Sequence, residues 1–310
     1  MKRGSFGPSA LVLLTLAGLL SFAPAALAAA PAAAPATANP PSASAAASGV
    51  AVDNPYVRLA DKAMALVGVR YVLKVATSGA ERELDGETLC ILIDADGLLL
   101  CSNNEMGGYV QLLTQMMNRG PMPAVVSTPK EIRVLLGTDS KGLPAKVIAR
   151  DSDRDLAWLR LDAVPAGLEL HPVALEDQRE ARLGEPLYRL RRLDRFFGSA
   201  PIVEAGVVGA LVQHPRQLLI AADLDGGYLG MPIFGADGKL LGLTVVQMPG
   251  EEGGEMAFGH GLPGQSTKFD DMVGSVILPA SELLKATRLA LEIHKQDEAE
   301  AAAAGAANPE

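Results

Sequence analysis

The chain has 310 residues, enough for one large or two-lobed domain with a substantial core. Hydrophobic residues make up 49% but aromatics only 4%, so that core must be built from Val, Leu, Ile, Ala and Met. A formal charge of −9 excludes a sequence-independent nucleic-acid binder, which needs a basic surface to displace counterions.

Residues 1–28 read as a secretory signal. Lys2 and Arg3 form the charged end, Ala10 to Leu20 is apolar apart from Thr15 and Gly18, and Ala26-Leu27-Ala28 is a small-x-small cleavage site. Apolar character runs on through Ala30, so an uncleaved anchor is the competing reading, and membrane contact is expected only if the segment is retained. Pro24 and the cleavage triplet favour removal, and no cysteine follows to take a lipid. The expected location is therefore periplasmic or extracellular. Residues 29–53 are dominated by Ala, Pro, Ser and Thr; they bury too little apolar surface to offset the entropy of ordering and read as a linker.

Asn54-Pro55 is a cap followed by a first-turn proline, and opens a short helix to about Leu66. From there to the last helix, short apolar runs alternate with turn signals. They predict strands at Val69–Val75, Thr88–Ile93, Leu98–Cys101, Ile132–Leu136, Ala145–Arg150, Ala157–Leu161, Leu187–Leu190, Gly206–Val212, Leu218–Ala222, Met231–Phe234, Leu240–Gln247 and Gly274–Leu278. Such spacing points to all-β barrels or sandwiches rather than βαβ units. Two segments break the pattern. Gly107 to Pro129 has helical character with Met116, Met117 and Met122 on it, and Gly250 to Phe269 is a Gly-rich polar loop. Pro279-Ala-Ser281 caps a helix to about Lys295, and residues 296–310 are expected to be a disordered Ala/Glu tail.

The two cysteines, Cys90 and Cys101, flank Ile91-Leu-Ile-Asp-Ala-Asp-Gly-Leu-Leu-Leu100, which has the form of a β-hairpin. A two-residue turn at Ala95-Asp96 sets them directly opposite, at a separation a disulfide spans. A three-residue turn ending on Gly97 offsets them by one and leaves two small buried apolar side chains. Both arrangements stay open at this level.

Four segments in order resemble the trypsin-like domain of HtrA/Deg proteases. Thr88 to Asn104 resembles the hairpin leading into the catalytic histidine. Lys146 to Leu161, with Asp155-Leu-Ala-Trp-Leu159 at its end, resembles the segment of the catalytic aspartate. Gly184-Glu-Pro-Leu-Tyr188 and Gly206-Val-Val-Gly-Ala-Leu211 resemble strands opening the second barrel, and Ala222 to Gly242 the surroundings of the nucleophile. With Ile277-Leu-Pro279 before the last helix, the likeness spans about residues 65 to 295. It implies two six-stranded antiparallel barrels within residues 54–295, with a short N-terminal and a C-terminal helix. The family often adds a peptide-binding PDZ domain, which is not expected here.

A serine protease needs a hydroxyl nucleophile, an imidazole to take its proton and a carboxylate to hold that imidazole. The family's nucleophile motif is Gly-Asn-Ser-Gly-Gly-Pro, and the residues matching it are Gly227-Tyr-Leu-Gly-Met-Pro232. Leu229 then stands at the serine position, and an isobutyl group has no lone pair. The histidine position falls on Asn104, or on Glu105 with a slip of one residue, while Asp155 keeps the aspartate. Gly227 and Gly230 preserve the backbone turn of an oxyanion hole, although Met231 replaces one family glycine. Trp158, Leu229 and Met231 are most simply core residues. His171, His214, His260 and His294 are scattered, and His260, Ser266 and Asp270 share one polar loop. No metal-ligand spacing, cofactor motif or nucleic-acid motif is present. The implied function is an exported pseudoprotease that binds a protein or peptide or serves as an envelope scaffold, with self-association open. The alternative is a hydrolase using unorthodox residues, supported only by the overall resemblance and by the carboxylates Asp155 and Glu105.

Overall fold

All twelve predicted strands form, and they close into two barrels of identical winding. The computed structural model describes residues 54–77, 80–108, 126–137, 141–214, 216–224, 227–247 and 273–307. The first barrel comprises β1 (Leu66–Thr77), β2 (Ala80–Leu92), β3 (Leu98–Ser102), β4 (Val126–Leu135), β5 (Leu143–Asp151) and β6 (Leu156–Leu161), closed in the order β1-β2-β3-β6-β5-β4. The second comprises β7 (Pro186–Arg192), β8 (Pro201–Val212), β9 (Leu218–Ala222), β10 (Pro232–Gly235), β11 (Leu240–Val246) and β12 (Val273–Pro279), closed as β7-β8-β9-β12-β11-β10. The second order repeats the first six strands later. No repeat shows in the sequence, because the winding needs a common burial pattern and not common residues.

Strand ends differ most in the β1–β2 hairpin, which pairs continuously from Leu66↔Ile91 to Thr77↔Ala80. Charged Glu81, Arg82 and Glu83 hid this extension from the apolar pattern, yet they are exposed, and an antiparallel pair tolerates a wetted face. In the β2–β3 hairpin the turn runs from Asp94 to Gly97, whose N–H donates to the Asp94 carbonyl at 3.2 Å. The register Ile91↔Leu100 places Cys90 opposite Cys101. They form a disulfide with Cα atoms 4.6 Å apart, the close spacing of a directly opposed pair without mutual hydrogen bonds.

Asn54 caps α1 (Pro55–Asp61) by accepting the Tyr56 N–H at 3.0 Å, and a 3₁₀ turn, Lys62–Ala65, leads into β1. The C-terminal helix α2 runs from Ala280 to Ala307, which corrects the disordered tail expected from residue 296. Alanine loses no side-chain entropy in a helix, so an Ala-rich extension propagates an already anchored one. Glu298 supports the extension through His294, one turn earlier at 3.2 Å, and through Lys146 of β5 at 3.4 Å. Val126 to Pro129 belong to β4 rather than to a helix. The signal, the linker, the methionines at 116, 117 and 122 and the Gly-rich loop lie outside the described residues.

Each barrel has its own interior, around Leu99, Cys101 and Leu159 in the first and around Leu187, Ile233 and Ile277 in the second. A third cluster joins them. Leu98, Leu100 and Trp158 of the first barrel meet Phe234, Val245 and Leu278 of the second, under Leu283, Ala286 and Ala290 of α2. The helix thus packs on its own domain and seals the seam. Its Thr287 hydroxyl accepts the indole N–H of Trp158 at 3.0 Å, both residues being buried. Replacing Thr287 with the isosteric Val leaves that N–H without an acceptor. The expected cost is about 1–3 kcal/mol, read as a lower urea midpoint in the fluorescence of Trp158, the chain's single tryptophan.

Candidate functional site at the barrel junction

Asp155 lies between β5 and β6 with a left-handed φ of 58°, a region that aspartate enters more readily than most residues. Its side chain is fully buried. The Ser102 hydroxyl lies 2.9 Å from both carboxylate oxygens. Asn104 donates twice to Oδ1, from its backbone N–H at 2.7 Å and its side-chain amide at 2.8 Å. The Val246 N–H, at the end of β11 in the other barrel, donates to Oδ2 at 3.0 Å. Burial is the dominant influence on this carboxyl, raising its pKa from the ordinary 3.8 to about 6, and the bonds from Val246, Asn104 and Ser102 hold it back.

The turn after β3 is fixed around this acid. The Asn103 N–H donates to the Asp155 carbonyl at 3.1 Å, and Arg150 donates to the Asn103 side chain at 2.9 Å and to the Met106 carbonyl at 3.2 Å. Of the two residues matched to the histidine position, Asn104 is the one whose side chain meets Asp155. Glu105 faces the cavity described below. Tyr71 donates its hydroxyl to the Glu105 carbonyl.

On the second barrel, the turn from Gly227 to Pro232 carries left-handed φ values of 92° at Gly227 and 72° at Gly230. Glycine is needed at 230 for space as well, since a Cβ there would sit 3.0 Å from the Ser102 nitrogen. Thr244 of β11 clamps the turn. Its hydroxyl donates to the Tyr228 carbonyl at 2.6 Å and accepts the Met231 N–H at 2.9 Å, and its carbonyl accepts the Gly230 N–H at 2.8 Å. Leu229 and Met231 are buried, as is Trp158. Tyr228 is half-exposed, its ring covered by the guanidiniums of Arg191 and Arg189, 4.2 and 5.0 Å from the centroid. Both arginines pair with Glu204 at 2.6 Å, and Arg189 faces it in register across β7 and β8. Burial disfavours the Glu204 carboxylate, but the two guanidiniums prevail and lower its pKa.

A cavity of about 890 Å³ opens here, lined by Glu105 of the first barrel and by Arg192, Tyr228, Leu229 and Met231 of the second. The structure therefore brings Asn104 onto Asp155, sets Gly230 against Ser102, and turns Leu229 and Glu105 to one cavity. Thr244, Val246 and the Arg189–Arg191–Glu204 group escaped the sequence reading. For the last there was a signal, two arginines at i, i+2 on one strand with a glutamate on the next. His171 lines the cavity but is exposed, His214 is exposed, His294 pairs with Glu298, and His260 and its loop lie outside the described residues. Among the described residues no histidine is hydrogen-bonded to a hydroxyl or to Asp155.

Two closed six-stranded barrels with an acid, a glycine turn and a cavity at their junction define a trypsin-like architecture. The chain belongs to the trypsin-like peptidase domain family, whose sequence model matches residues 88–243, half of the chain. Three solved structures illustrate its likenesses. The MamO protease domain from Magnetospirillum magneticum, in its apo form, is 17% identical over 70% of this chain and 95% of that one, with a TM-score of 0.42. Deg5 is 18% identical over 74% and 90%, with a TM-score of 0.45. The HtrA-type protease AlgW, as a variant with a decapeptide, is 17% identical over 76% and 67%, with a TM-score of 0.48. No curated protein matches the sequence significantly. Among the described residues, no helix is long and apolar enough to cross a membrane.

Asp155 makes stability depend on pH. Between about pH 4 and 6 the folded chain keeps a proton on this carboxyl that the unfolded chain has released. Stability therefore falls as pH rises through that window, by at most about 1.4 kcal/mol per unit, and the loss is complete above the folded pKa. A carbon-detected NMR titration should place the Asp155 midpoint near 6. Asn104→Ala, which removes a donor to the ionised form, should move that midpoint higher.

Proposed function

We propose that this chain is an exported pseudoprotease that binds a protein or peptide partner in the former substrate cleft and does not cleave it. One observation carries the reading: the cavity is faced by Leu229 from the glycine turn that matches the family's nucleophile motif. Acyl transfer needs a lone pair at that point and a base to free it. Leu229 offers neither, and Asn104 bonds Asp155 through an amide that is not basic at neutral pH. An amide satisfies the acid as an imidazole N–H would, so the junction keeps its packing without the chemistry.

Three features support binding. The cavity spans both barrels, its apolar floor includes Leu229 and Met231, and Thr244 and Asp155 hold its walls in fixed positions. The leader supports action outside the cytoplasm, either as a ligand-bound module or as an envelope scaffold.

A fluorophosphonate probe and a casein-cleavage assay on purified protein test this directly. The wild type should show neither labelling nor turnover, and Leu229→Ser alone should stay unlabelled because its hydroxyl has no imidazole beside it. Labelling or turnover of the wild type that disappears on changing Leu229, Glu105 or Asp155 would instead establish a hydrolase with unorthodox residues.

A further inference from the structure

Charge is distributed unevenly in the cavity. Its lining includes the acids Glu87, Glu105, Glu169 and Asp194 and the cations Arg191, Arg192 and Arg195. The cations are committed: Arg191 to Glu204 at 2.6 Å, Arg195 to Glu87 at 3.0 Å, and Arg192 to the Ala63 carbonyl at 3.0 and 2.8 Å. Asp194 accepts the Phe196 N–H at 2.7 Å. Glu105 differs. Its backbone is bonded to Ser102 and Tyr71, but its half-buried carboxyl has no hydrogen-bond or ion-pair partner among the described residues.

A carboxylate partly stripped of water and left without a counter-charge is poorly solvated. Burial, then the nearby negative charge of Asp155, push the Glu105 pKa up. Both penalties are relieved by a cation that arrives from outside. Apolar Leu66, Val67, Leu229 and Met231 line the same cavity. A purely aliphatic ligand would leave Glu105 unpaired, and an acidic one would add repulsion.

Building on the peptide-binding reading above, we propose that the cleft selects a peptide segment with a Lys or Arg side chain between aliphatic residues, the cationic group pairing with Glu105. Glu105 is then the residue that decides specificity, and the aliphatic neighbours find contact area on Met64 and Leu168, the exposed apolar residues of the lining. The chain's net charge of −9 draws such a segment in from a distance.

The test is fluorescence anisotropy with end-blocked nonapeptides of one Leu/Ala/Ser sequence, differing only in a central Lys, norleucine or Glu. The Lys peptide should bind about tenfold tighter than the norleucine peptide, with the Glu peptide weakest. Glu105→Gln should bring Lys and norleucine within about twofold of each other, and Glu105→Lys should invert the order in favour of Glu. Glu81→Gln, an exposed acid outside the cavity, should leave the preference intact. Equal binding of the three peptides, or a Lys preference that survives Glu105→Gln, overturns the assignment while leaving a peptide-binding cleft. Binding of none of the three overturns both.

Discussion

Asp155 is a carboxylate without water at the seam of two barrels, and it can exist there only if other groups replace the water. Four donors do so: the Ser102 hydroxyl, both N–H groups of Asn104, and the Val246 N–H. Three come from the end of β3 and the turn after it and one from β11, so satisfying a single acid locks the relative position of the barrels. Desolvation outweighs what these donors give back, which is why the pKa rises to about 6 instead of staying in the usual carboxylate range. The Asn104 amide and the Val246 N–H hold this carboxyl from the two barrels, and the acid becomes a tie.

The glycine turn depends on the same seam. Gly230 fits against Ser102, whose hydroxyl serves Asp155, and Thr244 holds the turn from a strand that ends at the Asp155 donor Val246. Tyr228 is pinned separately by the Arg189–Arg191–Glu204 group. The cavity is thus bounded by residues with little freedom to move. Preorganised walls suit a binding site, because less order has to be imposed when the ligand arrives.

The strands were readable because their apolar runs are bounded by turn residues and bury one or both faces: β11 is buried throughout, as its unbroken Leu-Leu-Gly-Leu-Thr-Val-Val implies. The β1–β2 extension was not, since its charged residues face solvent and mimic a loop. The helical tail was misjudged because composition alone cannot tell an Ala-rich coil from an Ala-rich helix that is already nucleated by Leu283 and Thr287 on the barrels. At the site, Asp155, Asn104, Leu229 and the glycine pair came from motif likeness, while Val246 serves through its backbone and Thr244 through a hydroxyl aimed by the strand register. A main-chain N–H has no residue signature, so its partner appears only once the strands are paired.

Hydrogen exchange at one amide tests the tie most directly. The Val246 N–H should be protected about as strongly as the interior amides of β11, and Asp155→Ala should cut that protection by about a hundredfold while Leu241 and Leu243 keep theirs. Fast exchange of Val246 in the wild type, or protection unchanged in the variant, would mean that the acid does not hold the barrels together.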